Sequence, residues 1–445
     1  MNPALIIPTF HTPPSRRRAE ASSLYDHPTP LNMKGQLSRC LDSLQKVRGL
    51  GQIIILVAAE GGVEAQAAAK VQDIVNGYPQ MHTLVIAQEE ASIVQRRLEQ
   101  LGFGDQADAI GLTGYSAIHN LGLVVAEVLG FDLVVFIDDD EVVEDEAFLE
   151  KAVYGLGKLT KKGIPILAKS GYYFNSEGTY YSLSQNRWYN HWWQQGRAFN
   201  NWITKAMAGP RLSRSNHVRG GCLALHRETY RRLSFDPWIM RGEDMDYLLD
   251  LRMYGSDIWF DNQWSLSHLP PRDRHEGHRF YRDIFRWVYE YHKIEFSRAQ
   301  IDLLQIKPSS LMPYPGPFLE PGIEKRIRKT AFLRSLVRPD KRKYREGARV
   351  ATGEAVEYAQ EHCMKYFEFQ YTWGDIMARM ESDGGLRQAL VQAAIARQAG
   401  EAVVVEDAAT FAADTQAAPE ALENRWANVD PGMTAEIRLN LSDDE

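Results

Sequence analysis

Cysteine is scarce in this chain of 445 residues, and the three that occur, Cys40, Cys222 and Cys363, are far apart and odd in number. They have neither the spacing of a metal site nor that of a disulfide framework, which points to a reducing, cytoplasmic setting. Excess positive charge is also lacking: 51 Lys and Arg against 58 Asp and Glu leave a formal net charge of -7, an argument against a general nucleic-acid binder. The opening "MNPALIIPTF" has no basic flank and no long apolar region, so it does not read as a signal peptide. Nor is there an uninterrupted hydrophobic run long enough for a membrane span. The best stretch, Leu121 to Ile137, is broken by Glu127 and Asp132 and reads as a helix followed by a strand. No internal repeat is evident. The expectation is a soluble protein, at most peripheral at the inner face of a membrane.

What is present is an alternation. "ALIIPTF", "QIIILVAA", "HTLVIAQ" and "DLVVFI" are short apolar runs that read as buried strands. Between them "QLSRCLDSLQKV", "EAQAAAKVQDIVNGY", "SIVQRRLEQLGF" and "YSAIHNLGLVVAEVLG" have helical spacing. Strands alternating with helices predict an α/β fold with a mostly parallel central sheet, and in such sheets ligands bind beyond the carboxyl ends of the strands. Three strand ends carry polar groups of interest: Pro8 and Thr9, Glu60, and the triplet Asp138, Asp139 and Asp140. From Asp273 to about Gly400 the pattern is mainly helical, with a Pro-rich interruption at "KPSSLMPYPGPFLEPG". The predicted organisation is a catalytic domain over 1–271, divided near residue 140 into two halves, a helical region over 272–400, and an acidic, partly disordered tail over 401–445.

Three adjacent aspartates at the end of a buried strand repel one another and call for a cation. In extended backbone, residues i and i+2 point the same way, so Asp138 and Asp140 face one site and Asp139 the other side. Hard divalent ions prefer such carboxylate oxygens together with substrate phosphates. The plain alternative is an acidic strand end running into a solvated acidic helix, since "EVVEDE" follows. A second acidic signal, "MRGEDMDY", places Glu243 and Asp244 after Gly242, at a turn that opens a helix. There carboxylates serve as helix caps, as chemistry, or as both. Asp246 reads as a helix-surface or salt-bridge residue. The segment "NRWYNHWWQQGRAFNNWI" is dense in Trp and Asn, residues that stack on sugar rings and bond hydroxyls, or else pack in a core.

Taken in order, "ALIIPTF", "SAIHNLGLVVAEVLGFDLVVFIDDDEVV", "GGCLALHRETYRRLSFDPWIMRGEDMDYLLDLRMYGSDIWFD" and "LSHLPP" resemble a glycosyltransferase of the GT-A fold, most similar to the family 2 group, over roughly Ala4 to Pro271. The resemblance implies a nucleotide-diphosphate sugar donor and a divalent ion, Mn²⁺ or Mg²⁺, on its two phosphates. It implies Pro8, Thr9, Glu60, Asn120, Asp138 and Asp139 near the nucleotide sugar, and Asp138, Asp140 and His268 on the metal, with His275 and His278 as substitutes for His268. Asp244, paired with Glu243, would be the general base of an inverting transfer to a hydroxyl of a saccharide, small-molecule or lipid-linked acceptor. Trp188, Trp192, Trp193, Trp202, Gly220 and Gly221 would lie on the acceptor side. The chain departs from the family in Glu60, where Asp is usual, and in His119-Asn120, where Arg-Asn is usual. A retaining enzyme of the mannosylglycerate-synthase type shares the fold and the Asp-x-Asp. A sugar nucleotidyltransferase shares the sheet, but opens with a Gly-rich loop where this chain has "PTFHTPPSRRR". A non-catalytic sugar-binding protein is a third class. The basic stretch "EKRIRKTAFLRSLVRPDKRKYREGAR" fits an anionic membrane surface, an acidic partner, or a solvated helix packed on the rest. The aromatic stretch "FYRDIFRWVYEYHKIEF" reads as a packing helix or a homo-oligomer interface.

Overall fold

The computed structural model describes residues 1–14, 25–184, 187–271 and 276–403; Arg16, Arg17, Arg18, His275 and nearly all of the acidic tail lie outside them. Among the described residues, ten strands form one sheet: β1 (Pro3–Thr12), β2 (Thr29–Pro30), β3 (Gln52–Ala59), β4 (His82–Ile86), β5 (Leu133–Phe136), β6 (Glu141–Val142), β7 (Ala168–Phe174), β8 (Leu212–Arg214), β9 (Leu223–His226) and β10 (Trp259–His268). Their order is β4-β3-β1-β5-β9-β7-β10-β6, with β2 on β1 and β8 on β10. The half formed by β4, β3, β1 and β5 is parallel, and β9 reverses direction between β5 and β7.

The apolar runs form central strands because they bury both faces. In β1 and β3, Ile6 and Ile54 point into one core cluster and Leu5, Ile7, Ile53 and Ile55 into the other. The second core is closed by the helices Leu37–Leu44, Glu64–Asn76 and Phe148–Val153. The first is closed by the helix Tyr115–Leu129, in which 13 residues are buried, and this helix is covered in turn by the helices Glu354–Glu381 and Gly384–Ala399. A helix lying between a sheet and a second helical layer must be apolar all round, which is why its sequence resembles a membrane span. The charge that breaks the run, Glu127, is buried and paired with Arg227 at 2.8 Å. No described helix is long and apolar enough to cross a membrane. The three cysteines are buried and unpaired.

The mainly helical pattern after residue 275 holds, in the helices Glu276–Ser297, Ile323–Val337, Lys341–Val350, Glu354–Glu381 and Gly384–Ala399. These helices share the first core with the sheet: Ile284, Tyr366, Trp373 and Leu390 belong to the same cluster as Ile6 and Phe136. Ion pairs fasten the last helix, Arg397 to Glu90 at 2.7 Å and Arg97 to Asp383 at 2.6 Å.

Candidate active site

The strand β5 stops at Phe136, and after the buried Ile137 the chain turns through Asp138, Asp139 and Asp140. It does not continue into a solvated acidic helix. Glu141 and Val142 instead pair antiparallel with His268 and Ser267 at the end of β10. That register sets His268 beside the triplet, its Nε2 3.5 Å from Asp140 Oδ1. The Arg39 guanidinium donates to the carbonyls of Asp140 and Leu269, at 3.1 and 2.8 Å, and so fixes both segments. Asp139 accepts a 2.6 Å hydrogen bond from the Thr9 hydroxyl on β1.

Glu141 is a fourth carboxylate that the sequence reading passed over. It is fully buried, and accepts the Asp138 backbone N–H at 2.9 Å. Gly221 packs so closely that a Cβ there would fall 2.3–2.5 Å from the Glu141 carboxyl group. Burial, and then the neighbouring carboxylates, push Asp138 and Glu141 well above the usual range. Burial raises Asp139 to about 7 despite the Thr9 hydrogen bond. Ionising these groups together is thus costly unless a cation joins them.

A second acidic group faces the first. Gly242, at φ 77°, begins the helix Glu243–Met253, and a Cβ on it would lie 2.1–2.4 Å from the Arg286 guanidinium. Asp244 Oδ2 accepts the Gly220 N–H at 3.2 Å and its Oδ1 accepts the Met245 N–H at 2.7 Å. Glu243 is pushed up to about 7 by burial and by Asp244, against the pull of Arg286 and Arg241. The same helix is anchored from below. Lys293, on Glu276–Ser297, reaches Asp236, Asp246 and Asp250 at 2.8 Å each, all within the core. Asp246 is therefore a buried ion-pair residue and not a surface one.

The close fit at Gly242 gives a stability test. Gly62 also has positive φ but nothing within 4 Å of a Cβ. Gly62→Ala should therefore cost only the left-handed backbone strain, about 1–2 kcal/mol. Gly242→Ala should cost that and more, because Arg286 must leave its 3.0 Å contact with Glu290. Urea midpoints of the two variants measure the difference; equal losses would mean that Arg286 moves aside freely.

Between the two acidic groups opens a cleft of about 870 Å³. Asp138, Asp139, Asp140, His268, Glu243, Asp244, Pro8 and Gly220 line it together. Trp193 lines it as well, 4% exposed, whereas Trp188 and Trp192 stand outside at 62% and 38%. Trp202 is buried against Phe199 and Phe260 and does not reach the cleft. Thr9, Glu60, Gly221 and Asn120 also fall outside the lining. The Thr9 hydroxyl is turned to Asp139, and the Glu60 backbone N–H to the carbonyl of His11. Asn120 is fully buried; its amide donates to the carbonyls of Ala109 and Phe235 and accepts from the Phe235 N–H. His119 does border the cleft, its ring held between Phe136 and Phe235 and its Nδ1 2.7 Å from the Tyr115 carbonyl oxygen. His278 is not in the lining.

The other wall comes from the stretch read as a packing helix, from the basic stretch and from the Pro-rich interruption. Phe280, Asp283, Arg286, Tyr314, Arg334 and Tyr344, all from the helical region, face the carboxylates across the cleft. Arg219 stands over the rings of Tyr173 and Phe199, 4.9 Å from each, with no carboxylate paired to it among the described residues. The stretch "FYRDIFRWVYEYHKIEF" held a signal for this wall, Phe280, Asp283 and Arg286 at successive i,i+3 spacing, but nothing in it said which face meets the sheet.

No protein-family model matches this chain, and no curated protein matches it. Several solved structures are similar. A mannosyltransferase, PcManGT from Pyrobaculum calidifontis in complex with GDP-Man and Mn²⁺, is 13% identical, with 85% of this chain and 84% of that one covered and a TM-score of 0.45. GalNAc-T7 with UDP, GalNAc and Mn²⁺ is 12% identical over 67% of this chain and 52% of that one, at a TM-score of 0.36. TarS of S. aureus is 9% identical over 88% and 55%, at 0.38. The chain thus spans about half the length of the last two. Overlaps this loose carry no weight for function; the residues of the cleft do.

Proposed function

We propose that this chain is a metal-dependent glycosyltransferase. It would move a sugar from a nucleotide-diphosphate sugar, UDP- or GDP-linked, to a hydroxyl acceptor with inversion at the anomeric carbon. One observation carries the reading: carboxylates from the end of β5 and from the start of the helix Glu243–Met253, over 100 residues apart, line one cleft together with His268.

The donor set suits a hard divalent ion, Mn²⁺ or Mg²⁺. Carboxylate oxygens and an imidazole crowd together, and burial drives Asp138 and Asp139 toward protonation, a cost that a cation reverses. Among the described residues no three such side chains are already gathered as a coordination sphere. Asp138, Asp140 and His268 are the groups that would hold the ion, with donor phosphates supplying further oxygens. When bound, such an ion offsets the charge that grows on the leaving diphosphate.

The chain's own groups do the rest. Asp244 is held as an acceptor by two backbone N–H groups at a helix N-terminus, and takes the proton of the attacking hydroxyl. Trp193, Phe280 and Tyr314 give the cleft aromatic surface on which a sugar ring stacks. Arg219 and Arg286 add positive charge to the lining. The absence of a Gly-rich loop after β1 weighs against a nucleotidyltransferase.

A thermal-shift panel of nucleotide sugars, each with and without Mn²⁺ or Mg²⁺, tests this directly. The cognate donor at a hundred times its dissociation constant should stabilise the protein by about 2.7 kcal/mol. Asp140→Ala should abolish the metal-dependent part of that shift. If no nucleotide sugar shifts the parent protein with either ion, the reading fails.

A further inference from the structure

The basic stretch at residues 325–349 takes no part in the reaction just described, apart from Arg334, Arg338 and Tyr344 at the cleft wall. It holds 11 Lys and Arg against 2 Asp and Glu, a local charge of 11 − 2 = +9 in a chain whose total is -7. Such a concentration on an otherwise acidic protein needs an explanation.

The helix Ile323–Val337 turns Ile323, Ile327, Thr330, Ala331 and Ser335 inward. Its outer face carries Lys325, Arg328 and Lys329, and beside them Phe332, Leu336 and Val337, which are 56%, 51% and 43% exposed. Against this helix lies the turn Trp188–Asn190 with the following Trp192. Arg334 Nε donates to Asn190 Oδ1 at 2.9 Å, and Lys329 Nζ stands 5.2 Å from the Trp192 ring. The exposed indoles of Trp188 and Trp192 therefore continue the same face. The helix Lys341–Val350 packs alongside and adds Lys341, Arg342 and Arg345, all exposed.

We propose that this face docks the protein on an anionic lipid surface, with the cleft opening beside the lipid headgroups. Charge alone would suit any polyanion. The interleaving of cations with large exposed apolar and indole side chains is what selects a lipid interface, where acyl boundary and anionic headgroup are met together. A nucleic acid or an acidic protein face would leave Phe332 and Leu336 unserved. The surface and the cleft share one segment: Tyr189, Asn190 and Trp193 line the cleft, while Trp188 and Trp192, interleaved with them, are exposed. The docking face stands whatever the cleft does. The corollary that the hydroxyl acceptor is carried on a lipid rests on the transferase reading.

Flotation of the full chain with phosphatidylcholine vesicles, with and without about a third phosphatidylglycerol, tests the proposal. Binding should be at least about tenfold stronger to the anionic vesicles and should weaken as salt is raised from 0.1 to 0.5 M. Two variants, Arg328→Glu with Lys329→Glu, and Phe332→Ala with Leu336→Ala, should each lower it about tenfold or more. Their side chains are solvent-exposed, so circular dichroism should report a parent-like melting temperature for both. No binding to anionic vesicles overturns the proposal. So does apolar-truncated protein that binds as the parent does while a polyphosphate competes the vesicles away, which would make the patch a general polyanion site. Retained vesicle binding in a protein inert toward every nucleotide sugar would uphold the docking face and sink only the lipid-linked acceptor.

Discussion

Asp244→Asn is expected to lower turnover by about 10²–10⁴-fold, the range that a positioned general base contributes. The carboxamide has nearly the same shape, and its oxygen can still accept the Met245 N–H that Asp244 Oδ1 accepts at 2.7 Å. It cannot take a proton from an attacking hydroxyl. Binding is expected to survive, because Asp244 is not among the groups proposed to hold the ion and the substitution keeps its shape. The signature is therefore a split: an unchanged donor-dependent thermal shift with release of nucleoside diphosphate nearly abolished. Anomeric assignment of the product by NMR completes the test, since inversion requires a base and retention does not use one in this way. An Asn variant within tenfold of the parent would remove Asp244 from the role.

The second large effect is on stability. Lys293 is the single cation among Asp236, Asp246 and Asp250, all four essentially without exposure, and the Tyr289 hydroxyl donates to Asp236 at 2.7 Å. Three carboxylates around one ammonium cannot all be charged at little cost. Burial and the charge of Asp246 drive Asp250 well above the carboxylate range, toward the protonated form, while the same carboxylates hold Lys293 charged. Removing the ammonium strands buried charge, so Lys293→Met should destabilise the fold by about 3–5 kcal/mol in urea denaturation at neutral pH. Asp250→Asn should cost far less, since an amide keeps the shape of a carboxyl group that burial already drives toward protonation and leaves the ammonium paired with Asp236 and Asp246. If the two variants melt alike, the network is not held together by the lysine. The helix it secures is the one that begins with Glu243 and Asp244, so loosening it should reach the cleft as well.

Both effects depend on contacts that different parts of the sequence disclose to different degrees. The four parallel strands were readable because burial on both faces writes a continuous apolar run, and segments such as "IIILV" have few other stable settings. Gly242 before two carboxylates and a helical pattern was readable for a related reason: φ of 77° excludes nearly every other residue. Strand limits were less legible. "IPILAKSGYYF" forms a strand only from Ala168 to Phe174, because Ile164 and Ile166 pair in a local turn with Thr160, Lys158 and Gly157 instead. The helix predicted from Ser92 starts earlier, at Gln88, where the Glu90 side chain returns to accept the Ala87 N–H.

The sequence by itself determined a layered α/β chain whose strand ends and glycine turn carry acidic groups, since local burial and backbone strain depend on neighbours a few positions away. Only the tertiary structure decided which of those groups meet. It turned Thr9 to Asp139, saturated Asn120 with backbone contacts, left Trp188 and Trp192 in solvent, and brought Arg286 and Phe280 over the cleft. Such encounters join segments more than a hundred residues apart. They follow from which helix face packs on which side of the sheet, and periodicity shows that a face is buried without naming what it is buried against.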